Sequence, residues 1–485
     1  MPDGMNVEYM SRQFQKRILP WCDGKIGGSM SYPPITVSNK QLYRNLLTIA
    51  LPIALQSLIA STLNLVDTLM IGQLGELELA AVGLSTQLYF VQYMLLFGLV
   101  SGASTFISQF WGVKDMKNIR RVIGFAITAS LFASLLFFIP AFFFPAAVLG
   151  IFTDNQAIIA AGSDYVSTAS FTFLTLSVVV PLTSALRTTE QTKIPMKISI
   201  FVFCTNTILN YLLIFGSFGF PMLGVKGAAT ATLIARCLEL ILVLYVVFGR
   251  KNLISGRIRE FFSYNTFLVR RILYNAIPTT INEVMWGLGM AAYNAAYGRM
   301  GVTEFASVQA SNTVNTLFIL AIFSLGDATM ILVGKRLGAG ELQYAYTKAL
   351  KILRLAVIVG AVSGALLILL SPCFINLFNF TPDGRMYALR ILLIYGLFMW
   401  MKVFNGVNIT GPFRAGGDTR FAMLAEVGSV WMIGVPLVFF GALYLSLPVY
   451  IVVLMAQAEE IVKFFICFKR FRSRKWVNNV IQDID

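Results

Sequence analysis

Twelve long apolar runs leave this chain little choice of solvent. Crossing the hydrocarbon layer of a bilayer takes roughly 20 apolar residues in an α-helix. Runs of that order lie near 46–71, 79–108, 122–148, 156–184, 194–217 and 225–248, and again near 272–297, 304–333, 347–371, 384–412, 420–443 and 448–468. In hydrocarbon each backbone N–H and C=O must be satisfied within the protein, so spanning segments of this length are helices. The expectation is an all-α integral membrane protein of about twelve transmembrane helices. Composition agrees: 57% of the 485 residues are apolar and 13% charged, against ~45–50% and ~25% in soluble domains.

The 38 Lys+Arg outnumber the 23 Asp+Glu, a formal charge of +15. Such an excess suits nucleic acid or a membrane surface, and position decides between them. Here the basic residues sit in short gaps between apolar runs, which favours the membrane and excludes nucleic acid as a partner. Alternate gaps differ in charge. One set holds Lys114, Lys117, Arg120, Arg121, Arg187, Lys193, Arg250 through Arg271, Lys335, Arg336, Arg414 and Arg420; the other holds only Lys226, Arg299 and Arg385. By the positive-inside rule the first set is cytoplasmic, with both termini, in a multi-pass plasma-membrane protein. Residues 1–43 lack the apolar core of a cleavable signal and read as a cytosolic tail.

There is no histidine. Ser-His and Cys-His nucleophiles, histidine metal sites and imidazole proton relays are therefore excluded. The five cysteines are scattered, with no C-x-x-C pair, and read as packing residues instead of a disulfide or zinc framework. No G-x-x-x-x-G-K-[ST] phosphate loop is present, which argues against an ATP-driven pump, and no nucleophile and base pair suggests an enzyme.

The sequence is also written twice. A step of 226 carries Pro52 to Pro278, Gly72 to Gly298, Gly75 to Gly301, Glu78 to Glu304 and Gly112 to Gly338. Further on, R-T-T-E-Q-T from Arg187 answers R-A-G-G-D-T from Arg414 at a step of 227, so one residue has been inserted between. Each repeat holds six spans, an even number, so the two copies have parallel topology about an axis along the membrane normal. That is a transporter plan, with a path between two lobes. The expected organisation is a lobe over 44–248, a basic interlobe linker over 249–271, a second lobe over 272–470, and a cytosolic tail over 471–485. The linker reads equally as a solvated connection or as an interfacial amphipathic helix.

From about residue 44 to 478 the chain resembles the multidrug and toxic compound extrusion (MATE) family. The carriers are Pro52 followed by Asp67-Thr68 in the first span, GQLGELELAAVG after it, LGVKGAATAT opening the sixth, NEVMWGLG and YGRMG in the seventh, and RAGGDT after the tenth. The resemblance implies a twelve-helix exporter of bulky, often cationic organic compounds, driven by inward H+ or Na+, without a cofactor. It would work on small molecules in a lipid bilayer, as a monomer. A lipid-linked oligosaccharide flippase of related architecture is the alternative. It would favour a strongly basic cavity, whereas intramembrane bases here are few, chiefly Arg236, Lys402 and Lys463.

Asp67 leads the candidate residues. A carboxylate at membrane depth costs ~2.5–3.5 kcal/mol on insertion scales, so it faces the protein interior and marks an ion path. Asn64, three residues earlier, can share its helical face. Asn206 and Asn210 lie one turn apart on the fifth span; by resemblance they share the Asp67 cavity, as does Thr232. In the second lobe the resemblance points to Glu283, with Asn282 beside it and Asn405 and Asn408 in the tenth span. Trp286, Tyr293 and Asp327 are candidates for the cavity wall. Pro52 and Pro278 interrupt helix hydrogen bonding, as bending points or fixed kinks. Arg187 and Arg414 read as positioning residues at the basic ends, with gating as the alternative. Glu239 is expected to pair with Arg236, Glu426 with Arg420, and Glu459 and Glu460 with Lys463.

Overall fold

The computed structural model describes residues 39–485 apart from 379, 483 and 485, together with all side chains in that range except 320–322. The expected tail over 1–43 lies almost wholly outside the described residues. The first six long helices are α1 (Asn39–Gly72), α2 (Glu76–Gly112), α3 (Met116–Phe143), α4 (Gln156–Thr188), α5 (Lys193–Phe215) and α6 (Gly224–Gly249). Six more follow: α7 (Thr266–Gly298), α8 (Val302–Gly338), α9 (Leu342–Ile375), α10 (Pro382–Phe413), α11 (Thr419–Tyr444), and α12, built from Val449–Ala456 and Ala458–Arg472 joined at Gln457. Ten of the twelve are long and apolar enough to cross a membrane. The other two are α7, which carries Asn275, Asn282 and Glu283, and the divided α12, which carries Glu459, Glu460 and Lys463.

Helix starts follow from the polar residues in the gaps. Asp115 accepts from the Asn118 N–H at 3.0 Å to open α3, Asn155 from Ala157 at 3.0 Å to open α4, and Asn265 from Leu268 at 2.8 Å to open α7. Each bond satisfies a donor that the first helical turn leaves without an intrahelical partner. Pro52 and Pro278 are both buried within unbroken helices.

The backbone itself repeats. Left-handed or glycine-type φ values recur at Gly75 and Gly301 (151° and 146°), Lys114 and Gly340 (58° and 77°), Glu190 and Gly417 (65° and 69°), and Gly219 and Ser446 (85° and 49°). The first two pairs are 226 apart and the last two 227. The inserted residue therefore falls between Gly340 and Gly417.

The halves meet along α2, which packs against α7 and α8. Close approach is possible because glycines face backbone. A Cβ on Gly98 would strike Thr280, one on Gly102 would strike Ala276, and one on Gly338 would strike the Gln109 carbonyl. All these contacts lie toward the end of the bundle where Lys and Arg concentrate, the basic end. On α1 the buried run Leu42, Leu46, Ile49, Ala50, Ile53 and Gln56 occupies the half nearer that end, while Leu58, Leu65 and Leu69 in the other half are exposed. The bundle is thus closed at its basic end.

Two segments outside the long helices reinforce that closure. Between α6 and α7 the chain forms only a four-residue helix, Ile258–Phe261, yet Ile254 (0%) and Phe261 (3%) are buried in the core of the first half. Glu260 pairs with Arg120 at 2.7 Å. The residues after α12 run across the seam. Trp476 is fully buried and stacks on Phe471; Val480 N–H donates to Gln109 of α2 at 2.8 Å, and Arg271 of α7 donates to the carbonyls of Val480 and Gln482.

Candidate functional site

Asp67 lies in the second half of α1, partly buried, and accepts a 2.5 Å bond from the Asn210 amide on α5. Asn210 also donates to Asn206 at 2.9 Å, and Asn206 donates to Thr232 on α6 at 3.4 Å. Four side chains from three helices thus form one chain of hydrogen bonds, with both asparagines buried. Asn64 stands apart from it: it is exposed, and its backbone carbonyl accepts from Thr68. The nearby guanidinium of Arg236 is engaged elsewhere, at 2.6 Å from Glu239 on its own helix and 3.2 Å from the Tyr89 hydroxyl. Asp67 therefore keeps a neutral amide as its bonding partner.

In the second half Glu283 pairs with Arg414, which also donates to Ser101 of α2 at 2.8 Å. Asn282 donates to Glu426 at 2.8 Å, in place of the Arg420 expected there; Arg420 instead lies over the Tyr274 ring. Tyr293 is buried and donates to Glu459 at 2.5 Å. Asn405 donates to the Glu460 carboxylate at 2.8 Å, and Lys463 lies 3.4 Å from Glu460 and 4.0 Å from Glu459. Asn408 is fully buried with neither amide atom bonded, and the amide oxygens of Asn282 and Asn405 are likewise unpartnered. Buried polar atoms normally find partners, and the first half carries the same feature at the Asn210 amide oxygen.

The repeat explains how the two halves correspond. Arg187 donates to Gln56 in the first half as Arg414 donates to Glu283 in the second, and Gln56 donates to Ser199 as Asn282 donates to Glu426. One glutamine performs at 56 what the neighbours Asn282 and Glu283 divide between them. Asp327 on α8 is partly buried, and the charges of the two matching arginines, Arg187 and Arg414, act on it without a bonded contact to either. Trp286 is partly buried on α7, and the indole of Trp431 on α11 donates to the carbonyl of the preceding residue, Met285, at 3.0 Å.

At the basic end the seam is polar. Arg414, besides its side-chain bonds, accepts at its carbonyl from Thr105 at 2.9 Å, and Gln109 donates to the Ala415 carbonyl at 2.7 Å. Lys335 of α8 pairs with Glu190 of the α4–α5 loop at 2.8 Å. Asp418, in the loop before α11, holds Arg470 through two bonds of 2.7 and 2.8 Å; burial pushes its carboxyl above the usual range while Arg470 pulls it down.

Sequence reasoning left Gln56 unnamed and placed Glu426, Glu459, Glu460 and Lys463 in ordinary pairs near helix ends. The register held a signal for them. A step of 227 sets Glu459 opposite Thr232 and Lys463 opposite Arg236, and a step of 226 sets Asn282 opposite Gln56.

The family described as MatE matches this chain twice, over residues 52–212 and 278–440. Among curated proteins, the "Uncharacterized transporter YisQ" of Bacillus subtilis is 26% identical over 438 residues, covering 89% of this chain and 95% of its own. The "Probable multidrug resistance protein NorM" of Thermotoga maritima is 23% identical over 446 residues, covering 91% and 94%. A solved structure described as MATE in the straight conformation superposes with a TM-score of 0.81 at 20% identity, over 90% of this chain and 98% of that one. Another, described as the outward-facing conformation of a multidrug resistance MATE family transporter, gives 0.80 at 19% identity, over 91% and 99%.

Proposed function

The chain belongs to the MATE family of transporters, and from that premise we propose that it is a secondary antiporter exporting bulky, often cationic amphiphiles against inward H+ or Na+. The observation that carries this reading is the Asp67 carboxylate, held at membrane depth by the amide of Asn210. A carboxylate there is costly unless it serves as an ion or proton position. With neutral bonding partners it can take up and release an ion without first breaking a salt bridge. Multidrug relatives of similar length support the substrate class.

The two lobes, 44–248 and 272–470, move about the seam, with 249–271 as the connection and both termini in the cytoplasm of a cell whose plasma membrane they span. In that orientation the closed basic end faces inward, which supports an outward-open reading. Asn206, Asn210 and Thr232 position Asp67, with Asn64 nearer the opening. Glu283, Asn282, Asn405 and Asn408 serve the second lobe, Trp286, Tyr293 and Asp327 contribute to the cavity wall, and Arg187 and Arg414 hold the inner gate. Pro52 and Pro278 give α1 and α7 a weakened turn at which to bend.

The test is transport by protein reconstituted in liposomes, with H+ and Na+ gradients imposed separately and a cationic dye as substrate. Export is expected when one gradient points inward and is lost when both are collapsed. Equal movement of dye with both gradients collapsed would replace antiport by uniport or flipping.

A further inference from the structure

Each half carries a base within its last helix at a matching position, partly buried in the first half and buried in the second. Arg236 on α6 and Lys463 on α12 stand 227 residues apart, the step that relates the later parts of the two repeats. Their partners differ. Arg236 is occupied by Glu239 one turn along its own helix, at 2.6 Å, and by Tyr89. That pairing leaves Asp67 bonded to a neutral amide. Lys463 is 4% exposed at its side chain and lies between Glu460 and Glu459, at 3.4 and 4.0 Å. Glu459 matches Thr232, and its partner Tyr293 matches Asp67. The second half therefore has an ammonium beside its acid where the first half has its base turned to another carboxylate.

We propose that Lys463 is a tethered cation filling the ion position of the second half, so that ion exchange is confined to Asp67. The charges surrounding it support this. Glu426 comes from α11, Glu459, Glu460 and Cys467 from α12 itself, and Lys402 and Asn405 of α10 face the same two α12 carboxylates. Several carboxylates gathered away from water need compensating charge. A base on the same helix supplies it at high effective concentration, whereas a free sodium ion would have to displace a group that cannot diffuse away. Lys463 is thus a specificity-determining residue that sets how many ions the protein takes. The inference rests on the antiport reading only for what the ion drives.

The experiment counts sodium ions bound by full-length protein in nanodiscs, by calorimetric titration with NaCl against choline chloride at alkaline pH. Asp67→Asn is expected to bind none. Asp67→Asn combined with Lys463→Gln is expected to bind about one sodium ion per chain, because the freed carboxylates lose their counter-charge; Lys463→Arg in the same background returns binding to none. Lys463→Met, which keeps the aliphatic stem, replaces the Gln variant if that does not give a cooperative thermal transition. A folded double variant that binds no sodium overturns the proposal, as does sodium binding by Asp67→Asn alone. Failure of dye export under every gradient would remove the antiport reading while leaving the sodium count interpretable.

Discussion

The two halves share a backbone and differ in how they handle charge. In the first, Arg187 bonds a neutral glutamine, Asp67 bonds a neutral asparagine, and Arg236 is neutralised within its own helix. In the second, Arg414 bonds a carboxylate, and Lys463 sits between two more. The same scaffold therefore leaves Asp67 free of ion pairing in one half and sets Glu283, Glu459 and Glu460 beside bases in the other. Duplication set the positions of these groups, and substitutions at Gln56/Asn282, Thr232/Glu459 and Asp67/Tyr293 divided the roles. An acid free of a bonded base can exchange ions cheaply; a paired one holds structure and pays a desolvation cost for it.

The comparison can be broken at several points. The largest effect is expected from Asp67→Asn, which should reduce gradient-driven dye export to the level of empty liposomes while leaving membrane insertion and the thermal transition intact; full retained export would remove Asp67 from its role. Next is the arginine pair. Arg414→Ala leaves the largely buried Glu283 without its partner, a loss of about 3–5 kcal/mol, whereas Arg187→Ala loses charge-assisted bonds to a neutral amide, about 1.5–3 kcal/mol. Denaturant or thermal unfolding in detergent reads the difference, and equal losses would mean that the halves are not electrostatically distinct. Glu283→Gln should shrink that gap by making the second half resemble the first.

Packing at the seam comes third. Gly102→Val places side-chain atoms against the Ala276 backbone and should cost about 1–3 kcal/mol by overpacking. Gly83→Val, on the same helix where nothing lies within 4 Å of an added Cβ, should stay within about 0.5 kcal/mol. A reversed order would place the closed seam at the wrong end. The smallest effect belongs to the matched turns after α2 and α8. Lys114 holds a φ of 58° where the repeat has Gly340 at 77°. Lys114→Gly should relieve left-handed strain and stabilise by up to about 1 kcal/mol, and Gly340→Lys should cost about 1–2 kcal/mol. Unfolding midpoints that move the other way would deny the turns their shared geometry.

Much of the fold was legible because a bilayer imposes a simple length rule. The expected span 46–71 became Asn39–Gly72 and 304–333 became Val302–Gly338, each extended at its ends by capping turns that hydropathy does not register. The site was legible only where a residue was anomalous in its own surroundings. Asp67 in an apolar run is such a residue, and Asn206 and Asn210 one turn apart are another pair. Glu239 with Arg236 was equally readable, since partners three apart on one helix need no tertiary information. Gln56, Glu426 and the bond from Tyr293 to Glu459 were not, because their partners lie 131 to 166 residues away. The segment after α12 reads as a polar tail, yet Val480 and Ile481 pack into a core built largely from the first half, while Trp476 packs on Tyr346 and Phe471 of the second.

By itself the sequence determined the number of spans, the repeat and its one-residue insertion, and the acid most exposed to the cost of a membrane. Those are properties of local composition and of periodicity, which survive without a fold. Only the tertiary structure decided which end of the bundle is closed, which base answers which acid, and that the two halves differ in their free charge. Those properties depend on distances between segments far apart in the chain, and a single added glutamate or asparagine can redirect an arginine without changing any pattern that the chain displays in one dimension.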